Sequence, residues 1–408
     1  MKKALPIIVY TLVLVMFTSL VASGATMLVM SAVRLEKGDT VTVSQEEYAL
    51  LQKYSKLDNI MTIIDTMFVE DVDADTLIEN AAYGMVELLG DPYSYYLSPE
   101  SMEKMAEEDS GHYVGIGAVF TTDPNDGMMV CTRIYPNSPA AEGGLQVGDR
   151  LYKVNGESIL NMPQSEVTGM VRGEEGTDIA MTMIRGDEEV DLNMTRRQVD
   201  VIDVEYRMLD GDILYIELTS FSTNADKAFD EAISFGKKKD MKGILLDLRG
   251  NGGGADIILE PIADHFIPEG VIFYMEDAQG NRTEYTSDAY HLGLPTVVLA
   301  DENSASASEV LIASLQDYEV ATIVGTTTFG KAVGQGTYPV AMDGSGVILT
   351  HVRAYSPLGR HWHGEGLAPD ILIEQPEELM ENPLLRTDEN DVQFIEAVKV
   401  LKDMIANE

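Results

Sequence analysis

The sequence predicts a multidomain α/β protein with an N-terminal transmembrane helix, a helical N-terminal region, a small β-rich unit and an α/β core whose sheet is mostly parallel. Three observations predict this. Ala4 to Val33 carries no charged residue. From Gly111 to Arg197, short apolar runs are separated by Gly, Asn and Asp turns. Beyond Asp200, strand-like and helix-like apolar patterns alternate, as βαβ units require. The boundaries fall at residues 1–34 for the anchor or signal segment, 35–110 for the helical region, 111–198 for the β-rich unit, 199–376 for the core, and 377–408 for an acidic linker and C-terminal helix.

The first segment follows Lys2 and Lys3 and exceeds the roughly 20 apolar residues that cross a bilayer. Lysines ahead of it predict a cytoplasmic N-terminus and an exported remainder. Ser23, Gly24 and Ala25 could be a cleavage site, which would release a secreted protein; the apolar run continues to Met30, which favours an uncleaved anchor. A net charge of −40 argues against nucleic acid, whose phosphates need basic partners, and against docking on anionic lipid. Cys131 is the only cysteine, so there is no intrachain disulfide, and no Cys/His cluster has zinc spacing.

Ser44 and Glu47 have capping-box spacing, and Tyr48, Leu51, Leu57, Ile60, Ile64 and Met67 recur at helical intervals. A helical hairpin packed on the main domain and a dimerising helix pair both fit this pattern. In the β-rich unit, YVGIGAVF and Met128 to Ile134 read as strands. In the core, DILYIELTSF is a strand and Thr223 to Lys239 a helix. GILLDLRGN is a buried strand ending in glycines, and Ala255 to Phe266 is a helix. A hairpin-like region spans Val271 to Thr286, and Val392 to Met404 is an amphipathic helix. Glu377 to Asp391 is acidic and reads as loose.

The chain is organised around Asp301 to Gly336. An apolar strand, Thr296 to Ala300, ends in DENSASAS, where Ser304, Ser306 and Ser308 stand at the start of a helix. A second strand, Ala321 to Val324, leads to a glycine turn carrying Lys331. A serine at a helix N-terminus and a lysine on such a turn are the makings of a Ser/Lys dyad. The lysine can take the hydroxyl proton once burial lowers its pKa, and the free N–H groups of the helix can hold an oxyanion. The same composition also serves ordinary helix capping. LRGNGGG and DENSAS both lie at strand carboxyl ends, where open α/β sheets place their sites. Gly252, Gly253 and Gly254 admit close backbone approach.

LRGNGGG, NSASASE and TFGKxxxQ, in this order, resemble the C-terminal processing (tail-specific) peptidases, Ser/Lys-dyad serine proteases with a PDZ domain. The similarity runs from about Tyr48 to the end, with LGDPYSYYLSPE and GLAPDILIE as further matches. The resemblance implies that Ser306 is the nucleophile, Lys331, twenty-five positions later, the base, and Gln335, four beyond, its orienting partner. It also implies an oxyanion hole from the Gly253 and Ala307 N–H groups, and no cofactor. SPA, GL, GD and VNG resemble a PDZ domain, with Gly115, Ile116, Gly117 and Val119 at the peptide-binding positions; Arg172 resembles a basic residue coupling that domain to the catalytic unit. The implied partners are proteins or peptides with free C-termini, the membrane through the first segment, and a second copy of the chain through the helical region. This sequence departs from the usual GKGxVQ turn, with Ala332 and Gly334 in place of a glycine and a valine.

Rival readings are weaker. The glycine loop lacks nucleotide-binding spacing and a phosphate-loop lysine. Among the six histidines, His361 and His363 flank the only tryptophan, yet no GxSxG elbow surrounds Ser306. A non-catalytic PDZ scaffold, or a serine hydrolase acting on cell-wall peptides or esters, are the alternatives in function.

Overall fold

The computed structural model describes residues 43–109, 112–160, 162–340 and 343–407. The expected membrane segment lies outside the described residues; among these, no helix is long and apolar enough to cross a membrane. The chain divides into two compact units, residues 1–96 and 97–408.

In the first unit, α1 (Gln45–Met67) starts with the predicted capping box. Glu47 N–H donates to Ser44 Oγ (3.1 Å), and Ser44 N–H donates back to Glu47 Oε2 (2.6 Å). Asp73 caps α2 (Ala74–Glu87) in the same sense, accepting from Thr76 N–H at 2.9 Å. Neither helix buries a residue fully, and Tyr48, Leu57, Ile60, Ile63 and Met67 are exposed. A short strand, β1 (Tyr95–Leu97), follows.

The second unit begins with α3 (Pro99–Asp109). Strand β2 (His112–Gly115) precedes an antiparallel sheet built from β3 (Ala118–Thr122), β4 (Met129–Ile134), β5 (Arg150–Val154), the short β6 (Glu157–Ser158), β7 (Asp178–Arg185) and β8 (Glu188–Thr195). The main order is β3-β4-β5-β7-β8, so β3 is an edge strand, while β2 pairs with β9 (Arg197–Asp200). Helices α4 (Pro139–Glu142) and α5 (Gln164–Val171) complete this domain. Its core includes Ile116, Leu151, Val167, Met181 and Met183.

The rest is the expected α/β core. Its sheet runs β10 (Val204–Leu209), β11 (Ile213–Leu218), β12 (Gly243–Asp247), β15 (Thr296–Ala300), β16 (Thr322–Gly325) and β19 (Ile371–Leu372); all neighbours are parallel except β10 with β11. These strands read as continuous apolar runs because both faces are covered. Ile213, Leu245, Val297 and Leu299 face α10 (Val392–Asn407), whereas Leu214, Ile216, Leu246 and Val298 face the larger cluster. That cluster takes in α6 (Ala225–Lys238), α7 (Asp256–Asp264) and α8 (Ala307–Asp317). The predicted hairpin is present as β13 (Gly270–Asp277) and β14 (Arg282–Ser287). It belongs to a second, antiparallel sheet that the sequence reading did not foresee, completed by β17 (Val333–Pro339) and β18 (Gly346–Tyr355).

The GLAPDILIE segment supplies the last strand of the sheet, two residues long. One expectation needs correction. The acidic stretch before α10 is not loose: it forms α9 (Glu377–Glu381), and Asp391 is buried in an ion pair with Arg249 (2.8 Å), which also binds Asp247 (2.6 Å). Arg249 is 4 % exposed, so its charge must be matched. Burial opposes the charge on Asp247, but Arg249 outweighs it and holds this carboxyl below the usual range. A depressed folded-state pKa contributes stability that is present above the unfolded value of about 4 and is lost as pH falls through the folded value. Arg249→Leu, which strands two buried carboxylates, is expected to cost about 3–5 kcal/mol in denaturant unfolding at neutral pH. A loss below about 1 kcal/mol would mean that the pair is not what fixes this corner.

Candidate active site

The carboxyl ends of β12 and β15 carry the two predicted loops, and side chains from one satisfy backbone groups of the other. Ser304 Oγ donates to Leu248 O (2.8 Å), Ser308 Oγ to Asn251 O (2.9 Å), and Gly250 N–H to Asp301 Oδ1 (2.9 Å). Ser304 and Ser308 are fully buried by this work. Ser306, between them, lines a cleft of about 890 Å³ together with Lys331 and Gln335. The serine repeat therefore has a structural reading for its outer members and an open one for its centre.

Ser306 holds φ 57° and ψ −116°, a left-handed conformation that costs a side-chain-bearing residue about 1–3 kcal/mol. Such strain persists only where the surroundings enforce it. Gly253 is one enforcer: a Cβ there would lie 2.8 Å from Ser306 Cβ and 2.9 Å from the Ala307 nitrogen, so only glycine fits. Its own N–H, expected in an oxyanion hole, donates instead to Asn251 Oδ1 (2.9 Å). The reason is the complete burial of Asn251, whose carboxamide must satisfy both ends; its Nδ2 donates to Leu218 O (2.7 Å). Ala307 opens α8 and lines the cleft, as do Gly252 and Gly254.

A second enforcer, Glu309, was not singled out from the sequence. It sits one turn into α8 with no exposed surface. Its Oε2 accepts from the backbone N–H groups of Ser306 (2.9 Å) and Lys331 (2.7 Å), and its Oε1 from Gly330 N–H (2.7 Å) and Thr328 Oγ1 (2.6 Å). One carboxylate thus ties the backbone of the strained serine to that of the lysine. Its position three residues after Ser306, in capping-box spacing, is the signal that was available.

On the lysine side, the departures from the family's turn have physical reasons. Ala332 is fully buried; its N–H donates to His363 Nδ1 (3.3 Å) and its carbonyl accepts from Ala354 N–H (3.0 Å). Gly334 lies at a register shift between β17 and β18, and a Cβ there would meet Val352 Cγ2 at 2.7 Å, which excludes the usual valine. Gln335 Nε2 donates to Thr350 Oγ1 (3.2 Å) and to Val333 O (3.4 Å), a placement set by strand pairing. Of the histidines, His351 lines the cleft, edge-on to Tyr338, whereas His361 Nδ1 bonds Ala354 O (2.9 Å). Among the described residues, no group of three or more His, Cys, Asp or Glu could hold a metal ion.

The predicted peptide-binding positions gather at the start of edge strand β3. Gly117 has φ 76°, and Val119 is exposed on β3. The Ile116 side chain is 1 % exposed in the domain core, so what it can offer a ligand is its backbone. Arg172 ends α5 and lays its guanidinium over the Tyr113 ring, 5.2 Å from the centroid. A different arginine, Arg133 of β4, spans from this domain to the core, pairing with Glu205 (3.2 Å) and Glu217 (3.1 Å).

This arrangement has known counterparts. The model of peptidase family S41 matches residues 212–373, a PDZ domain model matches 130–185, and the activating protease CtpB N-terminal domain matches 17–101. Carboxy-terminal processing protease CtpA of Bacillus subtilis (strain 168) is 32 % identical over 368 residues, which cover 89 % of this chain and 77 % of that protein. The chain belongs to peptidase family S41. Carboxy-terminal processing protease CtpB of the same organism is 28 % identical over 361 residues, 86 % of this chain and 75 % of that one. The solved photosystem II D1 C-terminal processing protease superposes on this S41 protease with a TM-score of 0.50 at 26 % identity, covering 84 % of this chain and 96 % of that chain. A structure from Bacteroides fragilis NCTC 9343 described as an S41 protease shares the fold at a TM-score of 0.56 and 16 % identity, over 85 % and 97 % of the two chains. The protein is a serine-type carboxy-terminal processing protease with a PDZ domain.

Proposed function

We propose that Ser306 is the nucleophile and Lys331 its general base, in an exported, membrane-anchored endopeptidase that captures a protein's C-terminal tail on the PDZ domain and cuts upstream of it. The observation that carries the reading is that Ser306 and Lys331 line one cleft while Glu309 bonds both of their backbones. Lys331 accepts the hydroxyl proton as Ser306 Oγ attacks the peptide carbonyl, then returns a proton to the leaving amine; water resolves the acyl-enzyme by the same route. The Ala307 N–H, at the N-terminus of α8, stabilises the oxyanion. A role for Gly253 N–H requires the Asn251 bond to open first, and Gln335 supports Lys331 from β17.

Export and anchoring rest on the uncharged run from Ala4 to Val33 behind Lys2 and Lys3. The exposed apolar residues of α1 support pairing with a second copy of the chain. Edge strand β3, with one side unpaired in its sheet, suits an extended peptide added as a further strand.

A small acylating probe followed by peptide mapping tests the chemistry. The expected result is a single modified residue, Ser306, with labelling abolished in Ser306→Ala. Labelling confined to any other serine would overturn the assignment. Labelling of Ser306 in a protein that cleaves no unstructured polypeptide would favour a hydrolase of esters or cell-wall peptides.

A further inference from the structure

The PDZ domain holds one of its own side chains where a peptide terminus would go. Tyr113, on β2, lays its ring against the α-carbon of Gly115, so closely that a Cβ there would come within 2.6 Å of Cε2. Its phenolic oxygen lies within reach of the backbone N–H groups of Gly117 and Ala118, which act on it in the direction that favours its charged form. Arg172 closes over the ring from the end of α5. Burial, with Tyr135 nearby acting in the same direction, pushes the phenol up to about 12, so the group held there is neutral.

Those two N–H groups occupy a special place. They belong to successive residues, the first with φ 76°, and such a turn makes a concave nest suited to an anion. Edge strand β3 begins at Ala118, so a peptide added along β3 would bring its terminal carboxylate to the same nest. We propose that Tyr113 is an internal stopper for the carboxylate nest of Gly117 and Ala118, and that a substrate tail binds by displacing its hydroxyl. A carboxylate forms the stronger, charge-assisted bonds and prevails, but its apparent affinity is lowered by the fraction of molecules in which the nest is already filled. Only a tail with a free carboxylate carries the charge to win the exchange; an amidated or internal segment binds along β3 with the stopper in place, so the stopper narrows the margin by which the acid is preferred. The proposal rests on the tail-binding reading above.

Tyr113→Phe keeps the ring on Gly115 and under Arg172 while removing the competing oxygen. Binding is measured on the full chain carrying Ser306→Ala, so that nothing is cut, with one fluorescent unstructured peptide ending in a carboxylate and its twin ending in an amide. The expected result is that Tyr113→Phe tightens the acid by about three- to tenfold, roughly the worth of a net hydrogen bond, and leaves the amide unchanged. Equal or weaker binding of the acid in the variant, with the acid still preferred over the amide in both proteins, overturns the stopper and retains tail capture. No preference for the acid in either protein overturns tail capture and the stopper with it.

Discussion

Lys331→Met lowers the rate of acylation by about 10³-fold or more, at the upper part of the range that general-base catalysis supplies. Methionine keeps the length and apolar stem of lysine and removes only the amine, so the glycine turn that Glu309 holds through the Gly330 and Lys331 N–H groups stays intact. Lys331→Arg is expected to fail as well, because a guanidinium cannot give up its proton in this pH range; that variant separates a proton acceptor from a mere positive charge. Ser306→Ala should fall further, to the level of the uncatalysed reaction plus whatever binding alone provides. The readout is single-turnover acylation by a small ester, which bypasses the PDZ domain, alongside thermal unfolding to show that the fold persists. Acylation in Lys331→Met within tenfold of the parent would remove Lys331 from the proton transfer and leave Ser306 in search of another base.

How much of this was legible depended on the range of the interactions. The buried strands of the parallel sheet, β11, β12, β15 and β16, read directly from the sequence because both of their faces are covered and most of their positions are apolar. The antiparallel sheet did not. Strand β17, with the sequence VGQGTYP, is glycine-rich, shifted in register at Gly334 and mostly exposed beyond Gln335, so it shows neither alternation nor an apolar run. The acidic segment before α10 looked loose because the partner that buries Asp391 is Arg249, 142 residues away.

The site followed the same rule. Ser306 and Lys331 stood out through motif spacing, and both line the cleft. At Gly253 glycine is required by contact with Ser306 and Ala307, and the donor expected for an oxyanion is held by the buried Asn251 side chain. A glycine motif reports that the backbone must come close, and does not report which of its hydrogens remain available. Tyr113 carried no signal at all, since a tyrosine at the edge of a glycine-bearing strand is ordinary β composition.

Glu309→Gln is the second large effect. Four donors converge on this carboxylate, and the positive end of α8 favours its charge. An amide has one oxygen, so its NH2 must face either the Ser306 and Lys331 N–H groups or the Gly330 N–H and Thr328 hydroxyl. In the first orientation the strained φ of Ser306 loses its tether; in the second the glycine turn swings away from α8. Displacing a reacting group by about 1 Å is enough to cost about 10²-fold, so acylation should drop by at least that factor while KM changes little. Stability should fall too, by about 1–3 kcal/mol for donors left facing a donor in a dry site. A structural loss alone would not alter how the reaction responds to the nucleophile. The deciding measurement is therefore the labelling rate of Ser306 by the acylating probe, well below the unfolding temperature, with tail binding as a control that the PDZ domain is undisturbed. If Glu309→Gln labels within threefold of the parent while losing stability, the carboxylate only braces the fold, and the alignment of Ser306 with Lys331 must come from the serine and glycine contacts of the β12 loop.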